Sequence, residues 1–360
     1  MVLLGICILA TTAFGFVGFG AIHDVTRRRT EARLTLARLA LARLLLDDSK
    51  SLDWADMREL QKAPTAGVLG MLQDVAVDLG DLTYQRLRLI VRASGLERRL
   101  QRLGRNRSWR RRIQAAELQP LLPNDHGDRF RLLRDPHPLV RARAAESLTR
   151  VDVIDHLEHL LDMLDDPSHA VRLGAQQALL RGDARIAEAL CTYLWSDARP
   201  GTTLALEVAT NLPDPRYEPV LRHHAASTDP QRRAMVARGL GAVGSQDGLP
   251  VLASLFDDPI ADVRAAAASA AGATRARDFA GPLGQLLSDP SWSVRREAGY
   301  ALDKLGPPGG VVLRAQLFAD DRFARDMARQ VLDAAAARHR RMPILGPDDL
   351  PSLEQAIDAA

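Results

Sequence analysis

Between about residue 130 and residue 335, apolar side chains recur three and four positions apart, in short stretches broken by polar turns. That spacing puts them on one side of an α-helix. Val171, Ala175, Ala178 and Leu179 make one such face. Val140, Ala144, Ser147 and Leu148 repeat it, as do Val294, Ala298, Ala301 and Leu302. A second apolar stretch precedes each of these helices: Val153, Ile154, Leu157, Leu160, Leu161 and Leu164; then Leu249, Val251, Leu252, Leu255 and Phe256; then Phe279, Leu283, Leu286 and Leu287. No run of alternating β-branched residues is long enough for a strand. The pattern predicts an all-α chain built from pairs of antiparallel helices.

The turns inside these pairs share a seven-residue phrase: Asp-Pro, three variable residues, Val-Arg. It is complete at Asp135–Arg141, Asp166–Arg172, Asp258–Arg264 and Asp289–Arg295. Asp197, Asp229-Pro230 and Asp320 keep part of it, and Asn106 fits the register. Anchored at 106, 135, 166, 197, 229, 258, 289 and 320, the copies lie 29, 31, 31, 32, 29, 31 and 31 residues apart. A fixed period in this range marks a solenoid, in which each unit buries its apolar face only by stacking on the next. Aspartate before proline reads as a helix start, with Asp166 as the N-cap and Pro167 as the first helical residue. Gly182, Gly244 and Gly306 fall where second helices end and a left-handed cap is wanted.

These residues resemble HEAT repeats, in particular the short bacterial type also found in phycobilisome-lyase-like proteins. The resemblance covers roughly residues 101–335 and implies a right-handed α-solenoid of about eight HEAT-like helical hairpins. It also implies a ladder between neighbouring repeats, drawn from Asp135, Asp166, Asp258 and Asp289 with Arg141, Arg172, Arg264 and Arg295. The units at 197, 229 and 320 depart from the pattern: Thr202-Thr203 replaces Val-Arg, and Asp320 precedes Asp321 instead of proline. In the family second helices line the concave side. Helical phase there exposes Arg143, Gln176, Gln177, Arg296 and Tyr300. Trp195 and Trp292, near turns, are the aromatic anchors, a residue type enriched where partners bind.

Upstream the pattern changes. Residues 1–22 carry no charged side chain, and that length spans about 33 Å as a helix, enough for a bilayer core. Arg27-Arg28-Arg29 follows. The positive-inside rule then puts the rest of the chain in the cytoplasm, as a single-pass protein of the cell membrane. Residues 23–100 read as a helical, Arg-rich juxtamembrane neck, in which Arg28, Arg33, Arg38 and Arg43 alternate with leucines. That helix suits a membrane surface, a partner helix or solvent. Residues 336–360 read as a C-terminal tail with a basic start, Arg338–Arg341, and Ser352 and Gln355 at capping-box spacing. The tail suits either a cap on the last repeat or a segment that binds a partner.

Charge divides the same way. Residues 23–112 hold 20 basic and 11 acidic side chains, and residues 113–360 hold 28 and 34. A basic neck beside an apolar span suits anionic lipid headgroups. Nucleic acid is the other use for arginine, with Trp109 among Arg105, Arg107, Arg110, Arg111 and Arg112 as a stacking platform. The mildly acidic repeats weigh against it. Cys7 and Cys191 are the two cysteines, with no Cys-x-x-Cys, so no structural zinc is indicated. His156 and His159, one turn apart beside Asp155, Glu158 and Asp162, lack a third compelling ligand. No phosphate loop, nucleophile elbow or dinucleotide fingerprint occurs.

The expectation is a membrane-anchored HEAT-repeat scaffold or regulator, not an enzyme and without cofactor. It binds a partner protein, a membrane enzyme or complex, through the solenoid surface. The alternatives are a lyase-like enzyme acting on a protein or bilin substrate, and nucleic-acid binding through the neck. Fusing a reporter enzyme to the C-terminus checks the orientation. Activity is expected from a reporter that works in the cytoplasm, and activity of a periplasm-dependent reporter overturns it.

Overall fold

The computed structural model describes residues 26–46, 52–76, 81–122, 129–196 and 199–341. The expected membrane span, residues 1–22, lies outside the described residues, as do residues 342–360 of the tail. Among the described residues all regular structure is helical, and no helix is long and apolar enough to cross a membrane. The chain forms two compact units, Met1–Arg181 and Gly182–Ala360.

The first unit begins with a bundle. Helix α1 (26–46) lays Ala37, Leu41 and Leu44 against α2 (Trp54–Lys62), α3 (Thr65–Ala76), α4 (Asp81–Ala93) and α5 (Leu96–Gly104). Their shared core contains Met57, Leu60, Leu72, Leu87, Ile90 and Leu100. The arginine-leucine helix of the neck therefore packs on its own chain, with Arg43 bonded to Asp56 at 2.5 Å. Three hairpins follow. The first pairs α5 with α6 (Trp109–Glu117), and the second pairs a 3₁₀ stretch (Arg129–Arg134) with α7 (Pro138–Glu146). The third sets α8 (Arg150–Asp155) and α9 (Leu157–Met163) against α10 (His169–Leu179).

The second unit holds five hairpins. They are α11 (Ala187–Leu194) with α12 (Thr202–Asn211), α13 (Glu218–His224) with α14 (Pro230–Val243), and α15 (Leu249–Ser254) with α16 (Ala261–Thr274). The last two are α17 (Ala280–Gln285) with α18 (Trp292–Lys304), and α19 (Pro307–Gln316) with α20 (Arg322–Arg341). Helix α20 continues through residues 336–341, the start of the tail. The faces read from the sequence are the buried ones: Val171, Ala175, Ala178 and Leu179 are fully covered, as are Val294, Ala298 and Leu302.

The Asp-Pro turn is built differently from the sequence expectation. Helix α10 starts at His169, and its N-cap is Ser168. Asp166 sits two residues earlier, and its carboxylate accepts from the Ser168 N–H at 2.8 Å. Asn106, Asp135, Asp258 and Asp289 make the same side-chain turn onto Ser108, His137, Ile260 and Ser291. Aspartate favours this local bond because its short side chain reaches its own backbone two residues on. Asp166 is thus a turn residue, and its free carboxylate edge points to another partner.

That partner is an arginine of the preceding repeat. Arg141 Nε and Nη2 hold Asp166 at 3.0 and 2.9 Å. Arg264 holds Asp289 in the same fork at 2.7 and 2.9 Å. Each third nitrogen turns inward: Arg141 Nη1 donates to the Asp135 and Pro136 carbonyls of its own turn at 2.8 and 3.3 Å. Two further rungs come from arginines outside the Val-Arg phrase. Arg112 binds Asp135 at 2.7 and 2.8 Å, and Arg233 binds Asp258 at 2.6 and 2.9 Å. Arg172 makes the inward bonds to Asp166 and Pro167; the next turn's Asp197 lies outside the described residues.

The inward bond fixes the register of the irregular copies. Arg233 Nη1 reaches back six residues to the Ser227 carbonyl, as Arg264 does to Asp258. Arg325 reaches Ala319 likewise. The anchors of these two repeats are therefore Ser227 and Ala319 in place of Asp229 and Asp320, and the period tightens towards 31. Asp229 and Asp321 stand two residues further on. There Asp229 caps α14 through the Gln231 N–H at 2.9 Å, and Asp321 accepts from the Phe323 and Ala324 N–H groups. Where Ala319 removes the carboxylate, Arg295 lies 4.5 Å over the Phe323 ring.

Small residues let second helices touch. A Cβ added to Gly241 would lie 2.8 Å from the Ala270 Cα, and one added to Gly272 would lie 2.7 Å from the Ala301 Cα. Helices α14 and α16 end at one register position, capped by Gly244 and Arg275 with positive φ (69° and 55°), and Gly306 at the same position (71°) lies one residue past the cap of α18. Gly244 is the left-handed cap expected of it. Gly182 has no positive φ, and Arg275 takes the left-handed cap without being glycine.

Two outcomes follow from these contacts. Asp258 is nearly buried with its Arg233 partner. Bonding by that guanidinium outweighs burial and holds the carboxyl below its usual value. Asp258→Ala leaves a covered cation unpaired, and urea unfolding at pH 7 should show a loss of about 3 kcal/mol. Because the folded pKa is depressed, the stabilisation is present above the unfolded value of about 4 and disappears as pH falls through the folded value. The gap between wild type and variant should therefore close below about pH 4. Arg275→Gly relieves a left-handed residue and should raise stability by about 1 kcal/mol in the same assay.

Candidate protein-binding groove

Second helices of four consecutive repeats in the C-terminal unit, α12, α14, α16 and α18, enclose a groove of about 1140 Å³. Its floor is small: Ala234, Ala242, Ala265, Ala266, Ala270 and Ala273. The floor positions follow from the ladder. Ala234 and Ala265 each come directly after a forked arginine, so the fork that fixes the arginine also sets the next residue on the inner side; Arg296 follows Arg295, which keeps only its inward bonds. Alanine there serves close helix packing and leaves an unfilled trench. The rim carries both signs, Glu207, Asp262 and Glu297 against Arg238, Arg296 and Lys304. At α18 the trench meets bulk: Arg296 lies 4.9 Å over the Trp292 ring and binds Glu297 at 2.7 Å. Trp292 is 53 % exposed and Tyr300 is 39 % exposed. The three are one helical turn apart in succession, so they form a continuous strip beside the groove.

The other residues singled out in the sequence are dispersed. Trp195 is exposed at the end of α11, a first helix, with its ring 5.3 Å from His223; it does not line the groove. Arg143 is on α7 of the N-terminal unit, tied to Glu117 at 3.2 Å and Glu146 at 2.9 Å. Gln177 is exposed on α10. Gln176 is not the exposed residue expected from helical phase: it is buried. In register it occupies the position of Ala145, Ala237, Ala268 and Gly299, all covered inside their helices, so a full-sized polar residue fills an alanine site. Arg27 binds Glu31 at 3.0 Å, and Arg28 and Arg29 are exposed where α1 begins.

The candidate chemistry elsewhere is committed to structure. The carboxylates of Asp135, Asp258 and Asp289 are all depressed. For Asp258 the arginine bond is the largest influence; for Asp135 and Asp289 burial is larger, but arginine and backbone donors together overcome it. A second hollow of about 710 Å³ follows these turns, lined by Asp258, Arg264 and Asp289, whose charges already meet one another. Burial pushes the Cys191 thiol up, and its Sγ lies 3.3 Å from the Arg216 carbonyl. Among the described residues no group of three His, Cys, Asp or Glu is placed to hold a metal, and the His156 ring packs on Phe130 at 3.6 Å. Trp109 is stacked on His137 at 4.3 Å and covered by Arg110 at 4.7 Å, so its ring is already engaged.

The repeat geometry and the family comparison agree. Residues 128–180, 188–272 and 255–337 match the family of HEAT repeats, which is more than half of the chain. The chain belongs to the HEAT-repeat family. No curated protein matches it. Among solved structures, a chain of the CpcE–CpcF complex of phycocyanin lyase from a Nostoc species is similar at 19 % identity. That match covers 57 % of this chain and 92 % of the other, with a TM-score of 0.37. The Escherichia coli protein YibA matches at 16 % identity over 75 % of this chain and 96 % of its own, with a TM-score of 0.40. An engineered protein matches at 16 % over 84 % and 94 %, with a TM-score of 0.36. At these identities the likeness concerns fold alone.

Proposed function

We propose that this HEAT-repeat protein is a membrane-anchored, non-catalytic scaffold or regulator that holds a partner protein, a membrane enzyme or complex, in the groove across α12, α14, α16 and α18. The observation that carries the reading is the alanine floor between charged rims. Small floor residues leave room for a partner's larger side chains, and a rim of mixed sign orients a polypeptide without favouring a polyanion. The Trp292–Arg296–Tyr300 strip supplies side chains of the kinds that dominate binding energy. The apolar residues 1–22 serve as the anchor, with the repeats in the cytoplasm. The exposed Arg28 and Arg29 face anionic headgroups.

The two alternatives draw less support. A lyase-like reaction on a protein or bilin needs reactive groups, whereas the recurrent aspartates are held in arginine forks and the Cys191 thiol is kept protonated. Nucleic acid needs a basic groove and an open stacking surface. The groove carries Glu207, Asp262 and Glu297, and the Trp109 ring is already covered.

Filling the trench tests the reading. Ala265→Trp should lower recovery of the cross-linked partner from native membranes at least tenfold, about 1.4 kcal/mol, with little change in thermal unfolding. Reversing the rim with Arg296→Glu should do the same. Unchanged recovery with both variants sinks the groove assignment, and turnover of a ligand by the purified protein alone sinks the scaffold.

A further inference from the structure

The last repeat carries an apolar stripe that its predecessors do not. Pro307, Val311 and Ala315 fall on one side of α19, Phe318 follows in the turn after it, and all four are exposed, Val311 at 61 % and Phe318 at 87 %. In the register set by the Ala319 anchor, Phe318 corresponds to Ser288 and Asp257, Ala315 to Gln285 and Ser254, and Val311 to Gly281 and Pro250. This is the outward face of a first helix. Internal repeats keep polar or small side chains there, so the stripe is not the bare stacking surface that any terminal repeat presents. A phenylalanine left almost wholly in water marks a contact. Basic groups border it: Arg314 is exposed beside the stripe, and Arg322 is exposed where α20 begins.

We propose that the chain's own C-terminal segment, residues 342–360, covers this stripe and closes the repeat array. Three observations select it over other occupants. First, it is in reach. Arg338 binds Asp303, which places that turn of α20 beside the end of α18, four residues before α19 starts. The nine residues from Arg341 to Leu350 extend up to about 30 Å, ample to return along α19, whose length is about 15 Å. Second, the segment has the complementary pattern. Leu350, Leu353 and Ile357 recur three and four positions apart and flank Ser352 and Gln355, which stand at capping-box spacing. Third, its charge is complementary: Asp348, Asp349, Glu354 and Asp358 are its charged side chains, with no basic residue, against the arginines that border the stripe.

Hydrogen exchange on the full-length protein in lipid nanodiscs tests the proposal. Amides of residues 350–360 should exchange at least tenfold more slowly in the intact protein than in the isolated 342–360 peptide. Val311→Ser with Phe318→Ser, both solvent-facing, should abolish that protection while leaving thermal unfolding and particle mass unchanged. Three results overturn it: equal exchange in protein and peptide, protection that survives the double variant, and a wild-type dimer that the variant dissolves, which would assign the stripe to a second copy. None of these depends on the groove partner, so this inference and the scaffold reading fail separately.

Discussion

Each ladder arginine ties two turns together with one planar group. Its Nη1 donates to the carbonyls of its own turn, and its Nε and Nη2 form a fork on the aspartate of the next. A guanidinium presents these donors in a fixed plane, which lysine cannot do. The arrangement fixes each hairpin's turn against the turn of the next. It also determines what the inner side looks like, because the residue after the arginine is carried to the groove. The same aspartate forms its own turn through one oxygen while both oxygens meet the guanidinium. Turn geometry and repeat stacking are thus set by a single side chain.

At one interruption of the ladder both partners change together. Thr203 stands at the arginine position of one repeat, and Ser227 stands at the aspartate position of the next. Neither leaves an unpaired charge, which is the expensive outcome of losing one partner alone. The helix start still needs an acceptor, and Asp229 supplies it as a direct N-cap. At the last junction only the aspartate is lost. Arg295 keeps its inward bonds and turns its face to Phe323, an aromatic replacement for an ionic one. The chain therefore preserves helix starts throughout and gives up the rungs selectively.

Architecture was legible because a period of about 31 residues is written in residues with strong local preferences. The apolar faces at Val171–Leu179 and Val294–Leu302 could be read directly. The register of irregular copies could not, because Asp229 looks like the turn aspartate and is the cap. Anchoring on arginine corrects it: 112, 141, 172, 233, 264, 295 and 325 mark the repeats with a more even step than the aspartates. Helical phase alone misplaced Gln176, since a helix flanked by neighbours buries a wider arc than one packed on a single surface. The groove was half visible. Arg296 and Tyr300 stood out as large groups, but the floor is made of absences of bulk, and alanine reads first as packing.

Alanine has two uses in this fold, one in the stack and one in the groove. In α16, Ala267, Ala268 and Ala271 are fully buried between neighbouring helices, while Ala265 and Ala273 line the groove. Close helix approach requires small residues on the flanks, and an open trench requires them on the inner face. A sequence rich in alanine satisfies both and gives no sign of which position does which. From α14 to α18 the distinction comes from the rungs, which hold these second helices in the same orientation. The lining positions that are not small are spread over the four helices: Glu207 on α12, Met235 and Arg238 on α14, Asp262 on α16 and Arg296 on α18. A change at these positions alters the groove without touching a rung, so the inner face can diverge in this fold while the stack that presents it stays the same.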